Sequence, residues 1–201
     1  MKLGIVDYGM GNIRSVVNAV EELGAECAVL DRPESLSAYP KLILPGVGAF
    51  GDAMLNLRKR GLDIALQGMA GKLPILGICL GMQLMCNSSM EGGLHQGLGW
   101  IDAEVVPLPQ AQGLKIPHVG WNDLRINQAG PLLAGLSDGA DVYFVHSFRV
   151  ACSDAADVAA TCSYGTDFTA AFSRGLFHGT QFHPEKSQRT GLRILENFLA
   201  L

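Results

Sequence analysis

Residues 74–83 read P-I-L-G-I-C-L-G-M-Q, and no other stretch constrains the fold as much. An apolar run meets Gly77-Ile78-Cys79-Leu80-Gly81, and a helix-compatible segment follows. G-x-C-x-G is the cysteine form of a nucleophile elbow. In that turn a strand passes sharply into a helix, and glycines allow close packing around a strained residue whose side chain is held out of the turn. The turn also aims the first backbone N–H groups of the helix at the reaction centre, and the positive helix end favours thiolate. Far downstream, Phe182-His183-Pro184-Glu185 offers a base and an acid to orient it. Cysteine, histidine and glutamate together point to acyl transfer on an amide.

The rest of the chain supplies the layers that such a turn needs. Residues 3–7, 27–30, 41–44 and 74–79 read as short strands, the third stopped by Pro45-Gly46. Residues 12–23 read as a helix with Ile13, Val16, Val17, Val20 and Leu23 on one face, closed by Gly24. Residues 52–62 read as a second helix, and Met82–Met85 lie in the helix after the elbow. Strands alternating with helices imply a parallel sheet with right-handed crossovers. After residue 95 the texture changes. Residues 97–108, 115–127 and 141–150 carry more Pro, Gly and aromatics, and 158–164, 169–172 and 176–182 read as strands joined by turns. Residues 190–201 close the chain as a helix with Leu192, Leu195, Phe198 and Leu199 on its apolar side. The expected architecture is one α/β domain over 1–201, with a central mixed, mostly parallel sheet flanked by helices.

Composition narrows the function classes. A chain of 201 residues buries roughly 70% of its unfolded surface, so a full core is available. The net charge of −4 and the lack of a basic stripe argue against nucleic-acid binding. Arg58-Lys59-Arg60, the densest basic cluster, reads as a solvated helix face. No segment approaches the ~18 apolar residues of a membrane span, and the N-terminal apolar run meets Asp7 too early for a signal peptide. Five cysteines, an odd number without C-x-x-C spacing, fit a reducing cytoplasmic setting and no metal. Cys86, seven residues beyond Cys79 and two helical turns along, reads as packing, as do Cys27, Cys152 and Cys162.

The chemistry-bearing residues have definite expected roles. His183 and Glu185 flank Pro184, and residues i and i+2 of an extended segment face the same way. Glu185 would then hold one imidazole nitrogen while the other faces Cys79. The order nucleophile, histidine, acid differs from that of α/β-hydrolases. Leu44-Pro45-Gly46-Val47-Gly48-Ala49-Phe50-Gly51 follows a strand and would present backbone N–H groups to an oxyanion, with the Leu80 N–H as second donor. That loop lacks the G-K-[ST] ending of a P-loop and the G-x-G-x-x-G spacing of a dinucleotide site, whereas Gly9-Met10-Gly11-Asn12 is closer to the latter but misses its third glycine.

Three motifs, Pro45-Gly46-Val47-Gly48, Gly77-Ile78-Cys79-Leu80-Gly81-Met82-Gln83 and Gln181-Phe182-His183-Pro184-Glu185, resemble class I (triad-type) glutamine amidotransferases. Asp7-Tyr8-Gly9-Met10-Gly11-Asn12, Pro117-His118-Val119-Gly120-Trp121-Asn122 and Tyr143-Phe144-Val145-His146-Ser147-Phe148 narrow the resemblance to the glutaminase subunits of imidazole glycerol phosphate synthases. The resemblance implies hydrolysis of L-glutamine to glutamate and ammonia through a Cys79 thioester, with no cofactor. It implies an oxyanion hole at Val47 and Leu80 and glutamine contacts at Gly46, Gly48, Gln83, Glu91, Ser147 and Phe148. It also implies a heterodimer with a (β/α)₈-barrel cyclase subunit, which receives the ammonia. The partner face would comprise Asn12, Pro117, His118, Trp121, Asn122, Tyr143 and Lys186. The resemblance further implies that the Val47 peptide reorients before the oxyanion hole is complete. Two alternatives stand beside this reading: a glutaminase serving another synthase, such as one making pyridoxal phosphate, anthranilate or guanylate, and a non-catalytic nucleotide-binding module.

Overall fold

The computed structural model describes residues 2–110 and 113–201. The first half holds β1 (Lys2–Val6), α1 (Ile13–Glu22), β2 (Glu26–Leu30), β3 (Leu42–Gly46), α2 (Phe50–Lys59), α3 (Leu62–Met69), β4 (Ile75–Cys79) and α4 (Leu80–Leu84). The second holds β5 (Cys86–Ser89), β6 (His95–Gln96), β7 (Ile101–Pro107), β8 (His118–Ile126), β9 (Ala140–His146), β10 (Phe148–Cys152), β11 (Val158–Ser163), β12 (Asp167–Arg174), β13 (Phe177–Thr180) and α5 (Gln188–Ala200). Among the described residues the strands join into one mixed sheet whose main path runs β2-β1-β3-β4-β13-β12-β10-β7-β5-β6. The first five positions on that path are parallel to one another. Beyond β13 the neighbours β12, β10 and β7 run antiparallel. The pair β8–β9 attaches through β11.

Alternation along the central strands sends side chains into two cores. Ile43 faces the layer of α1 and α5, with Leu3, Ile5, Leu76, Ile78, Val20 and Phe198. Leu42 and Leu44 face the layer of α2 and α3, with Phe50, Leu57, Leu62 and Leu66. The parallel centre is covered on both faces, as such sheets require.

Three expectations change. The helix expected over 52–62 is two helices, because Gly61 adopts φ 68, a left-handed conformation that ends α2 and starts α3. The strand ending at residue 44 continues through Pro45 and Gly46. Pro45 brings no N–H to the β1 side, and the pairing of β3 with β1 stops at Ile43, while the pairing of β3 with β4 runs on through Gly46. Cys86 is not two turns along the elbow helix. The helix ends at Leu84, and Cys86 opens β5, paired with Ile101 of β7.

The elbow depends on glycines that let α4 lie directly on the sheet. A methyl on Gly77 would sit 2.6 Å from the Met82 nitrogen, and one on Gly179 would sit 2.6 Å from Met82 Cγ. A methyl on Gly81 would overlap the Leu44 carbonyl oxygen, a backbone atom with no freedom to yield. Gly81→Ala should therefore cost about 3 kcal/mol. Gly68→Ala, at a helical position with nothing within 4 Å, should add roughly 0.5–1 kcal/mol. Denaturant titration of the two variants checks this, and a Gly81→Ala midpoint equal to the parent's would overturn the packing argument.

Three histidines, His118, His146 and His178, are held neutral in the sheet, with pKa values lowered by burial to about 4. A lowered folded pKa means that stability is complete above the unfolded value of ~6.5 and falls as pH drops toward 4, where the unfolded chain binds protons that the native chain refuses. Unfolding near pH 5 should take up about three protons from this source. A melting temperature flat between pH 7 and pH 4.5 would contradict it.

Candidate active site

Cys79 ends β4 and precedes α4 with φ 54, ψ −110, one of two non-glycine residues at positive φ among those described. Such a conformation costs roughly 1–3 kcal/mol and persists only where packing over-determines it. Here the Gly77, Gly81 and Gly179 contacts do so. The strain turns the thiol out of the ladder toward β9. Cys79 Sγ donates to the Val145 carbonyl at 3.8 Å and accepts from Gln181 Nε2 at 3.8 Å.

His183 and Glu185 follow β13 in a loop carried back to the sheet. His183 Nδ1 lies 2.7 Å from Glu185 Oε1, with both side chains at most 2% exposed. Proximity does not come from the extended i, i+2 geometry expected from the sequence. Pro184 opens a 3₁₀ turn over Pro184–Lys186, which brings Glu185 to the Nδ1 edge of the ring. The His183 N–H donates to the Tyr143 carbonyl at 2.9 Å, and Ser187 Oγ donates to the His183 carbonyl at 2.7 Å while accepting from the Tyr143 N–H at 2.9 Å. His183 Nε2 has no partner within hydrogen-bond geometry. Burial disfavours its imidazolium, but the neighbouring Cys79 and the Glu185 carboxylate outweigh burial and hold the pKa above the ordinary value.

Cys79 opens into a cavity of about 310 Å³ lined by Val47, Gly48, Leu80, Gln83, Glu91, Pro117, Val145, His146, Ser147 and Phe148. Seven of these are residues expected around a substrate or oxyanion, and Pro117 is one expected at a partner face. Val145 and His146 are additions that the structure makes. Gln83 is an internal group, with its Nε2 donating to the Phe148 carbonyl and to Gln181 Oε1, both at 3.1 Å. Glu91 Oε2 accepts the Phe50 N–H at 2.8 Å and so caps the start of α2. Gly46 lies behind the cavity, and the space its missing side chain leaves is filled by the buried Tyr8 hydroxyl.

The two expected oxyanion donors differ in state. Leu80 is the first residue of α4, where N–H groups have no intrahelical acceptor. The Val47 N–H instead donates to the Met10 carbonyl at 3.2 Å. The Gly9–Gly11 turn that carries Met10 is bridged by its own neighbours. Asp7 Oδ1 accepts the Gly9 N–H at 2.8 Å, and Arg60 donates to the Asp7 carbonyl at 3.1 Å.

Of the residues expected at a partner face, Pro117, Trp121 and Lys186 are exposed, and Asn12, Asn122 and Tyr143 are half-buried. Trp121 and Tyr143 meet edge to face at 5.9 Å, and Lys186 Nζ lies 5.8 Å from the Tyr143 ring centre. His118 is different: its ring is buried and turned inward. Ser187 and Gln181 are the positioning residues to which sequence reading assigns no role. Both act across elements, and their local sequence carries no signal of it.

The family model of glutamine amidotransferase class-I matches residues 4–201. The chain is 47% identical over 197 residues to the imidazole glycerol phosphate synthase subunit HisH of Moorella thermoacetica, covering 98% of this chain and 93% of that one. It is 50% identical over 200 residues to the subunit of the same name from Syntrophotalea carbinolica, covering 96% and 97%. Among solved structures, PurLQS of Thermotoga maritima superposes with a TM-score of 0.78 at 20% identity over 99% of this chain and 97% of that one. A crystal structure of a glutamine amidotransferase superposes with a TM-score of 0.77 at 21% identity over 98% and 97%. These two likenesses establish a shared fold, and the sequence relatives go further: the chain belongs to the class-I glutamine amidotransferases and, within them, to the HisH subunits of imidazole glycerol phosphate synthase.

Proposed function

We propose that this chain is the glutaminase subunit of an imidazole glycerol phosphate synthase, supplying ammonia for L-histidine biosynthesis. The observation that carries the reading is a strained Cys79 at the floor of a cavity, facing the free Nε2 of a His183 whose Nδ1 is held by Glu185. Cys79 gives its proton to His183 Nε2, forming the thiolate–imidazolium pair that the raised His183 pKa favours, and the thiolate Sγ then forms a bond to the side-chain amide carbon of glutamine as the carbonyl π electrons move to oxygen. Glu185 keeps Nδ1 protonated and stabilises the imidazolium. The tetrahedral oxyanion is held by the Leu80 and Val47 N–H groups. The C–N bond then breaks, the nitrogen takes the His183 proton, and ammonia leaves. Water activated by His183 hydrolyses the thioester, releasing glutamate and regenerating the thiol.

The Val47 N–H must leave the Met10 carbonyl before it serves an oxyanion. One such donor is worth roughly 10²–10³ in rate. A partner that favours the turned peptide would therefore raise turnover by about that factor. The partner in this reading is a (β/α)₈-barrel cyclase, which takes the ammonia and makes imidazole glycerol phosphate and aminoimidazole carboxamide ribotide. The exposed Trp121, paired with Tyr143 and Lys186, is an amphipathic anchor suited to that contact.

Glutamate release by the chain alone, and then with the cyclase barrel plus its nucleotide ligand, tests this. The expected result is a slow basal rate that rises about 10²-fold or more in the complex. Full activity of the isolated chain would remove the gating argument. In the complex, Cys79→Ala and His183→Ala should each lower kcat by about 10³-fold or more without shifting the melting temperature downward by more than a few degrees. Glu185→Ala should cost less than His183→Ala. Retention of glutamine hydrolysis by Cys79→Ala would end the thioester reading.

A further inference from the structure

Two histidines that the triad does not use stand at the cavity wall, His146 lining it and His118 behind it. His118 opens β8, His146 closes β9, and the two are register partners in the antiparallel pair. Both rings are buried, at 3% and 6% exposure. Their nitrogens form a chain. His146 Nδ1 lies 2.9 Å from the Phe148 carbonyl, His118 Nδ1 lies 3.0 Å from His146 Nε2, and Asn122 Nδ2 lies 3.5 Å from His118 Nε2.

The direction of this chain follows from its ends. A carbonyl only accepts, so His146 Nδ1 carries a hydrogen. A neutral His146 then has Nε2 as its acceptor, and His118 Nδ1 must be the donor to it. His118 Nε2 is left as an acceptor, met by the Asn122 amide, which also donates to the Ser163 carbonyl at 3.0 Å. The burial that lowers both imidazole pKa values to about 4 agrees with neutral rings. The His118 ring is clamped between Tyr164, at 3.9 Å, and Phe144, at 4.8 Å.

The inner end of the chain meets the site. The Phe148 carbonyl accepts from His146 and also from Gln83, and the second bond of Gln83 runs to Gln181, which reaches Cys79 Sγ. The outer end lies on β8, whose neighbouring Val119 and Trp121 are exposed at 55% and 48%. We propose that His118 and His146 are a pair of positioning residues: a directional hydrogen-bond relay from the outer strand β8 that fixes the Ser147–Phe148 wall of the glutamine cavity. Neither histidine touches reacting atoms. Their effect is on how well the wall is placed before glutamine enters. This rests on the reading that the cavity takes glutamine.

The test is the steady-state kinetics of glutamine hydrolysis by the complex with the cyclase barrel plus its nucleotide ligand. His146→Leu removes the donor to Phe148 and should raise the glutamine KM about five- to tenfold with kcat within about twofold, the loss expected for one hydrogen bond. His146→Asn keeps a donor near the Nδ1 position and should recover most of that loss. His118→Phe keeps the aromatic stack while cutting the relay and should raise KM in the same direction. It carries the test if His146→Leu does not fold. A lower melting temperature with KM unmoved, or a fall in kcat alone, overturns the relay and leaves a structural pair. An active parent complex separates these outcomes from failure of the glutaminase reading, in which the parent releases no glutamate and the relay falls with it.

Discussion

The close seat of α4 on the sheet is the contact on which the rest of the structure depends. Gly81 lies against the Leu44 carbonyl, Gly77 against the first turn of α4, and Gly179 against Met82. With no side chain at these positions, a five-residue helix packs directly over β3, β4 and β13. That approach forces the backbone at Cys79 into positive φ, and the forced backbone aims the thiol at the cavity. An isolated helix this short has no stability of its own, so the tertiary contact creates both the helix and the angle of the cysteine before it.

The same crowding explains how β3 and β9 reach the site. β3 continues through Pro45 to Gly46 beside Cys79, which brings the Val47 peptide to the mouth of the cavity. Strand β9 crosses from the other side and gives the Val145 carbonyl to Cys79 and the Tyr143 backbone to the His183 loop. Ser187 ties the two together by bonding both Tyr143 and His183. A displacement of β9 would therefore be felt at the imidazole and the thiol together. Its outer neighbour β8 carries the exposed Trp121, so the path from surface to site is two strands wide.

Electrostatics divides the buried imidazoles into two kinds. His183 has a carboxylate and a thiol beside it, and its charged form is held. His118 and His146 have no carboxylate beside them: burial lowers both, the positive charge of His183 opposes a second charge on His146, and they stay neutral. One side-chain type is thus suited to proton transfer in one loop and to directed donation in the next strand pair, and the difference lies wholly in the partners. The two acids at the site differ in the same way: Glu185 holds His183, while Glu91 spends one oxygen capping α2 and turns toward the cavity.

Much of this is legible in the residues alone, because the signals are local. Two glycines and a cysteine at fixed spacing demand a tight strand-to-helix turn whatever surrounds them, and apolar runs mark which strands are covered on both faces. The short β5 and β6 are not legible, since nothing nearby in sequence separates them from a loop, and at the break between α2 and α3 the one local signal is Gly61, a residue that a continuous helix also tolerates. Whether Cys86 continues a helix or opens a strand depends on Ile101, a residue that only the fold brings beside it. The spacing of His183 and Glu185 points to their pairing but not to the 3₁₀ turn that accomplishes it. The sequence by itself determined the α/β layering, the elbow and the residue types proposed for the triad, because backbone sterics and residue chemistry act within a few positions. The tertiary structure alone decided that Gln83 points inward, that His118 is buried, that Val47 is bonded to Met10 and that Gln181 reaches Cys79, because each is a contact between segments whose separation in the chain carries no trace of their meeting in space.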